Sequence, residues 1–171
     1  MRFCVLTVSD RSASGEREDS SGPALIEMIK GRGWELVEHA LLPDEVEQIE
    51  ERLKSWCDSS LADVILTTGG TGFSPRDRTP EATLAVIERL TPGLSEAMRM
   101  AGLKVTPHAM LSRGICGIRG ATLIINLPGS TRAARENFSV VLPVLEHAVQ
   151  LMQDDPSSEA GHSRHAPFPS A

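Results

Sequence analysis

A glycine-rich loop followed by an acidic residue lies near the middle of the chain. Gly69-Gly70-Thr71-Gly72 follows an apolar run, and Asp77 comes shortly after it, between two arginines. Glycines let a backbone approach a ligand closely and aim N–H groups at it, which suits phosphate. A carboxylate beside such a loop binds Mg²⁺ together with substrate phosphates, although a helix cap or an ion pair would use the same residue. The loop is neither a Walker A sequence nor a dinucleotide fingerprint, because neither spacing occurs.

Further polar groups stand at three other points of the chain. They are Ser9, Asp10 and Arg11; Ser112 and Arg113; and Pro128, Gly129 and Ser130. The last group opens a predicted helix, whose N-terminus attracts anions. No Gly-x-Ser-x-Gly elbow occurs, and Cys116 is typical of a small core thiol, so no covalent nucleophile is predicted. These groups suit Mg²⁺-assisted phosphoryl or nucleotidyl transfer, in which positioning and charge neutralisation supply the catalysis.

Asp44 has two interpretations. It follows a predicted strand and precedes a predicted helix, where N-capping is the ordinary role of an aspartate. A metal ligand would occupy the same kind of position, because ligands of α/β folds bind beyond the carboxyl ends of strands. From the residues alone, N-capping is favoured.

Short apolar runs alternate with amphipathic segments and predict the elements that position these groups. Buried strands are predicted at 3–8, 34–42, 62–68 and 122–126, with short strands or a hairpin at 107–119. Helices are predicted to begin near Pro23, Pro43, Thr79, Thr91 and Ser130, with Thr79 as a capping threonine. The alternation predicts one α/β domain over residues 1–153, a three-layer αβα arrangement with a mostly parallel sheet and helices on both faces. Residues 154–171 are rich in Ser, Pro and His and are typical of a disordered tail.

This arrangement is expected to bring the polar groups to one edge of the sheet. Loops 9–22, 69–79 and 128–131 each follow the carboxyl end of a predicted strand. Ligands of such folds bind in these loops. The three loops are therefore expected to form a single site.

Composition limits the classes of partner. The chain has 171 residues with 17 Lys and Arg against 23 Asp and Glu, so its net charge of −6 argues against a general nucleic-acid binder. Its apolar runs are shorter than the roughly 18 residues of a membrane span. Three cysteines without a CxxC pair predict neither disulfides nor a zinc site and favour the reducing cytoplasm.

The basic residues are unevenly distributed. Between Glu96 and Glu136 there is no acidic residue, whereas six basic residues lie inside: Arg99, Lys104, Arg113, Arg119, Arg132 and Arg135. Such a block predicts an anionic ligand nearby. The alternative is that folding places these cations beside acidic residues from elsewhere in the chain.

Long motifs in this sequence resemble a known family. The segment from Thr68 to Thr83, TGGTGFSPRDRTPEAT, is similar to the signature of the molybdenum cofactor biosynthesis family, which includes molybdopterin adenylyltransferases and the related domain of gephyrin. Further blocks match in order, and the resemblance covers about residues 3–152. These blocks are Thr7–Arg11, Leu111–Arg113 with Gly117–Gly120, and Ile124–Ser130.

The resemblance implies a homotrimeric domain that adenylylates molybdopterin, using Mg²⁺ and ATP and releasing pyrophosphate. It implies Asp77 and Asp44 as the catalytic, Mg²⁺-binding residues, which reverses the preference for capping at Asp44. Gly69–Gly72 would bind a phosphate, and Ser112, Arg113 and Pro128–Ser130 would hold the anionic pterin. Ser9, Asp10 and Arg11 would complete the wall of the site. An enzyme that inserts molybdate is an expected partner, and neither nucleic acid nor a membrane is.

Two activities are favoured by the resemblance over a third, molybdate insertion or nucleotide-pyrophosphate hydrolysis, because such relatives carry extra domains for which this chain is expected to have no room. The first is the adenylyl transfer itself, favoured because both Asp44 and Asp77 are present. The second is a member of the same family that binds molybdopterin without adenylylating it, as a cofactor-binding or scaffold protein.

Overall fold

The computed structural model describes residues 1–154, so the predicted tail lies outside the described residues apart from Asp154. These residues form one six-stranded sheet of order β2-β1-β3-β6-β5-β4. Its strands are β1 (Arg2–Val8), β2 (Glu35–Leu42), β3 (Val64–Thr68), β4 (Arg89–Leu90), β5 (Cys116–Arg119) and β6 (Thr122–Leu127). The β2-β1-β3-β6 part is parallel, and at the other edge β5 pairs antiparallel with both β6 and β4. The predicted mostly parallel sheet is confirmed.

Helices cover both faces of the sheet. They are α1 (Asp10–Ala13), α2 (Ser21–Gly31), α3 (Val46–Asp58), α4 (Thr79–Val86), α5 (Pro92–Leu103) and α6 (Thr131–Met152), with a 3₁₀ helix at Pro107–Leu111. On one face Leu25, Met98 and Phe138 bring α2, α5 and α6 into a single core. On the other face Leu53 and Val86 bring α3 and α4 into a second core. The predicted three-layer arrangement is confirmed, and none of the described helices has the length and apolar character to cross a bilayer.

Strand register sets where the site forms. Thr7 of β1 pairs with Thr68 of β3, and Thr68 pairs with Leu127 of β6. Val8 pairs with Leu42 of β2. Four parallel strands therefore end at the same level, and the loops that follow them start side by side at one edge.

Three local predictions are corrected. Residues 107–111 form a 3₁₀ helix rather than a strand, because Pro107 lacks an N–H for a ladder and the Thr106 hydroxyl accepts from the N–H of His108. The predicted loop 9–22 contains the short helix α1, capped by Ser9. Thr79 does not cap α4, since the helix begins at Thr79 itself and has no side-chain cap.

Candidate active site

The glycine loop, residues 69–72, turns where β1, β3 and β6 end. Gly69 has φ +104° and Gly70 has φ +61°, conformations that residues with a Cβ rarely adopt. A Cβ on Gly69 would stand 2.1 Å from the carbonyl oxygen of Val8, so no side chain fits there. The N–H of Gly69 donates to the carbonyl of Leu127 at 3.2 Å. The loop is therefore fixed against both neighbouring strands.

Arg113 holds the outer end of the glycine loop. Its guanidinium donates to the carbonyl oxygens of Gly72 at 2.7 Å and Asp77 at 2.5 Å. It also forms an ion pair with Glu81, and this pairing holds the pKa of Glu81 below its ordinary value. The backbone N–H of Arg113 donates to the carbonyl of Thr71 at 2.9 Å. The guanidinium of Arg113, which the resemblance predicts to hold the pterin, therefore binds the protein's own loop in this structure.

Asp10 and Asp44 hold each other in place across two loops. The N–H of Asp10 donates to Oδ2 of Asp44, and the N–H of Asp44 donates to Oδ1 of Asp10, each at 2.9 Å. Arg76 donates to both carboxylate oxygens of Asp10 at 2.9 Å and to Glu45 at 2.7 Å. These contacts tie the loop after β1, the loop after β2 and the segment after the glycine loop into one unit.

Asp44 does not cap α3, which begins at Val46 without a side-chain cap. Burial raises the pKa of Asp44, and the negative charges of Asp10 and Asp77 raise it further. The hydrogen bond from the N–H of Asp10 and the positive charge of Arg76 lower this pKa, but the net change is upward. One of its oxygens, Oδ1, is buried and has no hydrogen-bond partner. The carboxylate is therefore held in an environment that a positive charge would relieve.

Asp77 lies at the end of a turn opposite Asp44. Its Oδ2 accepts from the N–H of Ser74 at 3.0 Å, and its own N–H donates to the carbonyl of Ser74 at 2.9 Å. Within residues 1–154 its carboxylate neither caps α4 nor forms an ion pair with Lys or Arg. The sequence left a helix cap or an ion pair as structural roles for Asp77, and its carboxylate has neither role within the described residues.

Two adjoining cavities meet at the glycine loop. The first, of about 470 Å³, is lined by Ser9, Ser12, Ser20, Ser21 and Ser130 among others, and we call it the serine-lined cavity. The second, of about 390 Å³, lies between α5, the 3₁₀ helix and α6, and we call it the helix-lined cavity. Gly70, Asp77 and Gly129 line both cavities and form the seam between them.

Two helix N-termini reach the serine-lined cavity. The hydroxyls of Ser20 and Thr131 lie 2.7 Å apart and join the start of α2 to the start of α6. Ser130 precedes α6 without capping it through its side chain, so the first N–H groups of this long helix are left for a ligand. The uncapped N-terminus of α6 attracts anions, and Arg17 adds a cation to the same wall.

Asp19 fixes the α2 side of that wall. Its Oδ1 accepts from the N–H groups of Ser21 and Gly22, each at 3.0 Å, and caps the helix. Its Oδ2 accepts from the Thr7 hydroxyl at 2.6 Å and lies 3.4 Å from Nε2 of His39. Burial opposes ionisation, but these hydrogen bonds hold the pKa of Asp19 below its ordinary value.

The helix-lined cavity has a different chemical character. Met98, Val105 and Leu111 contribute apolar surface, and Arg99 and Asn137 contribute polar atoms from α5 and α6. Arg99 donates to the carbonyl of Gly114 at 3.0 Å, which holds its side chain in place. A mostly apolar cavity with a few polar groups suits a flat ring system.

Most of the predicted site residues lie at these cavities. The serine-lined cavity contains Ser9, Asp44, Gly69, Gly70, Asp77, Gly129 and Ser130, and the helix-lined cavity contains Gly70, Thr71, Gly72, Asp77, Ser112, Pro128 and Gly129. Asp10, Arg11 and Arg113 do not line either cavity. Asp10 and Arg113 hold loops in place, and Arg11 is exposed on α1.

The basic block 97–135 is largely matched by acidic residues. Ion pairs join Arg119 to Asp58 at 2.8 Å, Arg132 to Glu136 at 2.7 Å and Arg135 to Glu27 at 3.0 Å. These contacts favour the alternative interpretation of the block, in which folding brings acids to its cations. Arg99 differs from them, because it lines the helix-lined cavity.

Sequence reasoning gave no site role to several polar lining residues, among them Arg17, Asp19 and Asn137, and named Arg99 only as one cation of the basic block. Asp19 carried a usable signal, since an aspartate just before Ser-Ser-Gly-Pro is a typical helix cap. Asn137 carried none and Arg99 only its place in the basic block, because the packing of α5 against α6 is what brings the two residues to one cavity.

The donor set at the seam fits Mg²⁺. Within the described residues no group of three or more His, Cys, Asp or Glu side chains is arranged around one metal position. Three carboxylates line the serine-lined cavity, and Asp19 is already occupied by Thr7, Ser21 and Gly22. Asp44 and Asp77 remain for a cation, and Asp44 has a buried oxygen without a partner. Mg²⁺ is usually bound by one or two carboxylates together with substrate phosphates and water, which is the set this site offers.

The sequence is similar to one family of known proteins. Residues 4–147 match the family described as "Probable molybdopterin binding domain". The chain is 43% identical over 150 residues to a molybdopterin adenylyltransferase from Helicobacter pylori, covering 86% of this chain and 85% of that protein. It is 44% identical over 169 residues to gephyrin from Dictyostelium discoideum, covering 93% of this chain but only 23% of that protein's length.

A solved structure is similar over nearly the same range. The crystal structure of the molybdopterin biosynthesis enzyme MoaB from Thermus thermophilus superposes with a TM-score of 0.85 at 50% identity. The match covers 91% of this chain and 98% of that one. Sequence and fold therefore agree on one group of proteins.

Proposed function

Because the chain belongs to the molybdopterin-binding domain family of molybdenum cofactor biosynthesis, we propose that it is a molybdopterin adenylyltransferase. Its substrates are molybdopterin and ATP, and its products are adenylyl-molybdopterin and pyrophosphate. The terminal phosphate oxygen of molybdopterin attacks the α-phosphorus of ATP and forms a new P–O bond. The bond from the α-phosphorus to the bridging oxygen breaks, and pyrophosphate leaves with that electron pair.

The observation that carries this proposal is the seam between the two cavities. An enzyme that joins two large ligands needs two adjoining binding spaces that meet at the reacting groups. Here each cavity is large enough for one ring system, and Gly70, Asp77 and Gly129 lie where the two meet. A protein that only stores one ligand needs no second cavity, so this arrangement favours transfer over binding alone.

The residues at and around the seam have distinct roles in the proposal. The N–H groups of the glycine loop and of the α6 N-terminus bind and orient phosphate oxygens. Asp44 and Asp77 would hold Mg²⁺, which neutralises phosphate charge when bound. Asp10, Arg76 and Arg113 position the loops rather than contact substrate, since their polar groups bind protein atoms. The nucleophile belongs to the substrate, which agrees with the burial of all three cysteines.

The test is a direct assay of the purified protein. Molybdopterin and Mg-ATP are mixed with it, and pyrophosphate and the adenylyl adduct are measured. We expect both products in equal amounts and none without the protein. Molybdopterin binding without any adduct would overturn the transfer and support the second candidate, a cofactor-binding or scaffold member of the family.

Three further points remain predictions: a homotrimer, a cytoplasmic location and a molybdate-inserting partner enzyme. Light scattering of the purified protein measures the first of these, and the expected mass is three chains. Fractionation of cells measures the second. Co-purification with a molybdate-inserting enzyme measures the third.

A further inference from the structure

Thr79 carries a buried hydroxyl that no part of the described chain satisfies. The residue is fully buried, and its Oγ1 has no hydrogen-bond partner. Two other buried threonines are paired: Thr68 donates to the carbonyl of Pro128 at 2.8 Å, and Thr122 donates to that of Ala62 at 2.9 Å. An unpaired buried hydroxyl costs free energy, so Thr79 requires an explanation.

Helix capping does not supply that explanation. Thr79 is the first residue of α4, and its backbone N–H donates to the carbonyl of Gly70 at 3.1 Å. Its hydroxyl takes no part in a cap. Four residues later, Thr83 accepts from the side chain of Asn126 at 2.9 Å, so a buried hydroxyl on this helix can find a partner. Thr79 instead faces the glycine loop.

The hydroxyl lies beside the unpaired oxygen of Asp44. A Cβ built on Gly70 would stand 2.3 Å from Oγ1 of Thr79 and 2.8 Å from Oδ1 of Asp44. Both oxygens are buried, and both lack a partner. One is an acceptor and the other can donate, so a single hydrogen bond would satisfy the two together. Gly70 leaves the space between them free of side-chain atoms.

We propose that Thr79 is a positioning residue for Asp44, whose Oδ1 accepts a hydrogen bond from the Thr79 hydroxyl when the site binds a divalent cation. Hydrogen bonds at catalytic sites are often long without ligand and tighten in the complex. Oδ2 of Asp44 is already fixed by the N–H of Asp10. The added bond fixes the second oxygen, so the carboxylate keeps one orientation toward the cation. The expected effect of Thr79 on kcat rests on the proposed function, whereas its expected effect on cation binding does not.

The test removes the hydroxyl while keeping the shape of the side chain. Thr79→Val should weaken binding of Mn²⁺ to the substrate-free protein about tenfold, measured by electron paramagnetic resonance, since a hydrogen bond to a charged group is lost. It should lower kcat by a similar factor and leave the KM for molybdopterin within about twofold. Thr79→Ser should restore both values, because it restores the donor.

Thr91→Val is the matched control. Thr91 also has a buried hydroxyl without a partner, but it precedes α5 and lines neither cavity. Its variant should bind Mn²⁺ and turn over as the wild type does. If Thr79→Val and Thr91→Val behave alike, the inference is wrong, and the unpaired hydroxyl of Thr79 has no role in the site.

A double-mutant cycle tests whether Thr79 acts through Asp44. In the Asp44→Asn background, Thr79→Val should change Mn²⁺ binding and kcat by less than about twofold, because the acceptor charge is already gone. Equal effects in both backgrounds would overturn the inference. If Thr79→Val does not fold, the pair Thr79→Ser and Thr79→Ala replaces it, because these differ only in the hydroxyl. Equal Mn²⁺ binding by that pair would also overturn it.

Failure of the inference and failure of the proposed function can be told apart. If the wild-type protein forms no adenylyl-molybdopterin, the proposed function is wrong. The Mn²⁺ titration requires no substrate and still decides whether Thr79 supports Asp44.

Discussion

The serine-lined and helix-lined cavities share a seam but are built in different ways. The serine-lined cavity consists of loops at the carboxyl ends of parallel strands, and each loop is held by hydrogen bonds such as those between Asp10 and Asp44. The helix-lined cavity consists of packed helices, with apolar side chains and few polar atoms. One is organised by hydrogen bonds and charge, the other by packing.

This difference indicates that the two cavities suit different parts of the ligands, a distinction that we call the division of labour. Charged, hydroxyl-rich surroundings with the uncapped N-terminus of α6 suit phosphates, whose binding depends on many oriented donors. Apolar surroundings suit a ring system, whose binding depends mainly on buried area. The seam at Gly70, Asp77 and Gly129 then lies where phosphate chemistry and ring binding meet. Substitutions at the seam should change the kinetics with both substrates, whereas substitutions in one cavity should change the KM of one substrate.

The largest effect is expected at the seam carboxylate. Asp77→Asn keeps the size of the side chain but removes its charge, so the site loses one of the two carboxylates that would hold Mg²⁺. We expect kcat to fall at least about a hundredfold, with molybdopterin affinity within about threefold. Initial rates of pyrophosphate release measure kcat, and fluorescence titration measures affinity. Unchanged turnover would contradict the metal role of Asp77.

The second effect concerns the backbone of the seam. Gly70→Ala places a methyl group against Thr79 and Asp44 in a residue with φ +61°, so the loop must shift. We expect kcat/KM to fall about tenfold for both substrates, because the seam serves both cavities. Gly31→Ala is the control, since a Cβ there meets no atom within 4 Å. A loss confined to one substrate would argue against a shared seam.

The sequence predicted the serine-lined cavity far better than the helix-lined one. Loops such as Gly69–Gly72 follow buried strands, and strand ends align in a parallel sheet, so their convergence follows from fold class. Arg99 and Asn137 meet only because α5 packs on α6, which no local pattern encodes. The segment 107–119 is predicted as short strands or a hairpin because its apolar residues alternate, and β5 at Cys116–Arg119, antiparallel to β6, confirms the C-terminal part. At Pro107–Leu111 the proline and the Thr106 cap give a 3₁₀ helix instead.

The roles of charged residues were the hardest to predict. Asp44 looked like a helix cap, yet its carboxylate binds the N–H of Asp10, a contact between residues far apart in sequence. The resemblance assigns Arg113 to the pterin, which stays a prediction, and in the described residues its guanidinium binds Gly72, Asp77 and Glu81. A residue type indicates which partner is suitable. Only the fold decides whether that partner is a ligand or another part of the chain.

The third prediction compares one variant in each cavity. Arg17→Gln removes a cation from the serine-lined cavity, and Leu111→Asn adds a polar group to the helix-lined cavity. We expect each to raise the KM of one substrate about fivefold and to leave the other within about twofold, with different substrates affected. Steady-state kinetics with each substrate varied in turn measures this. Added salt should reduce the effect of Arg17→Gln but not that of Leu111→Asn. If both variants affect the same substrate, the division of labour is wrong.

The smallest effect is on stability in acid and concerns only the serine-lined wall. The folded-state pKa of Asp19 lies below its ordinary value of about 3.9, so its ionised form stabilises the folded chain. That contribution is fully present above the unfolded-state pKa and is lost as pH falls through the folded-state pKa. Asp19→Asn should therefore lower Tm at pH 6, and the gap to wild type should narrow as pH falls from about 5 to about 3. Glu16→Gln, at an exposed position of the same loop, is the control. A gap that stays constant with pH would mean that Asp19 holds the α2 N-terminus through its shape and hydrogen bonds alone, without its charge.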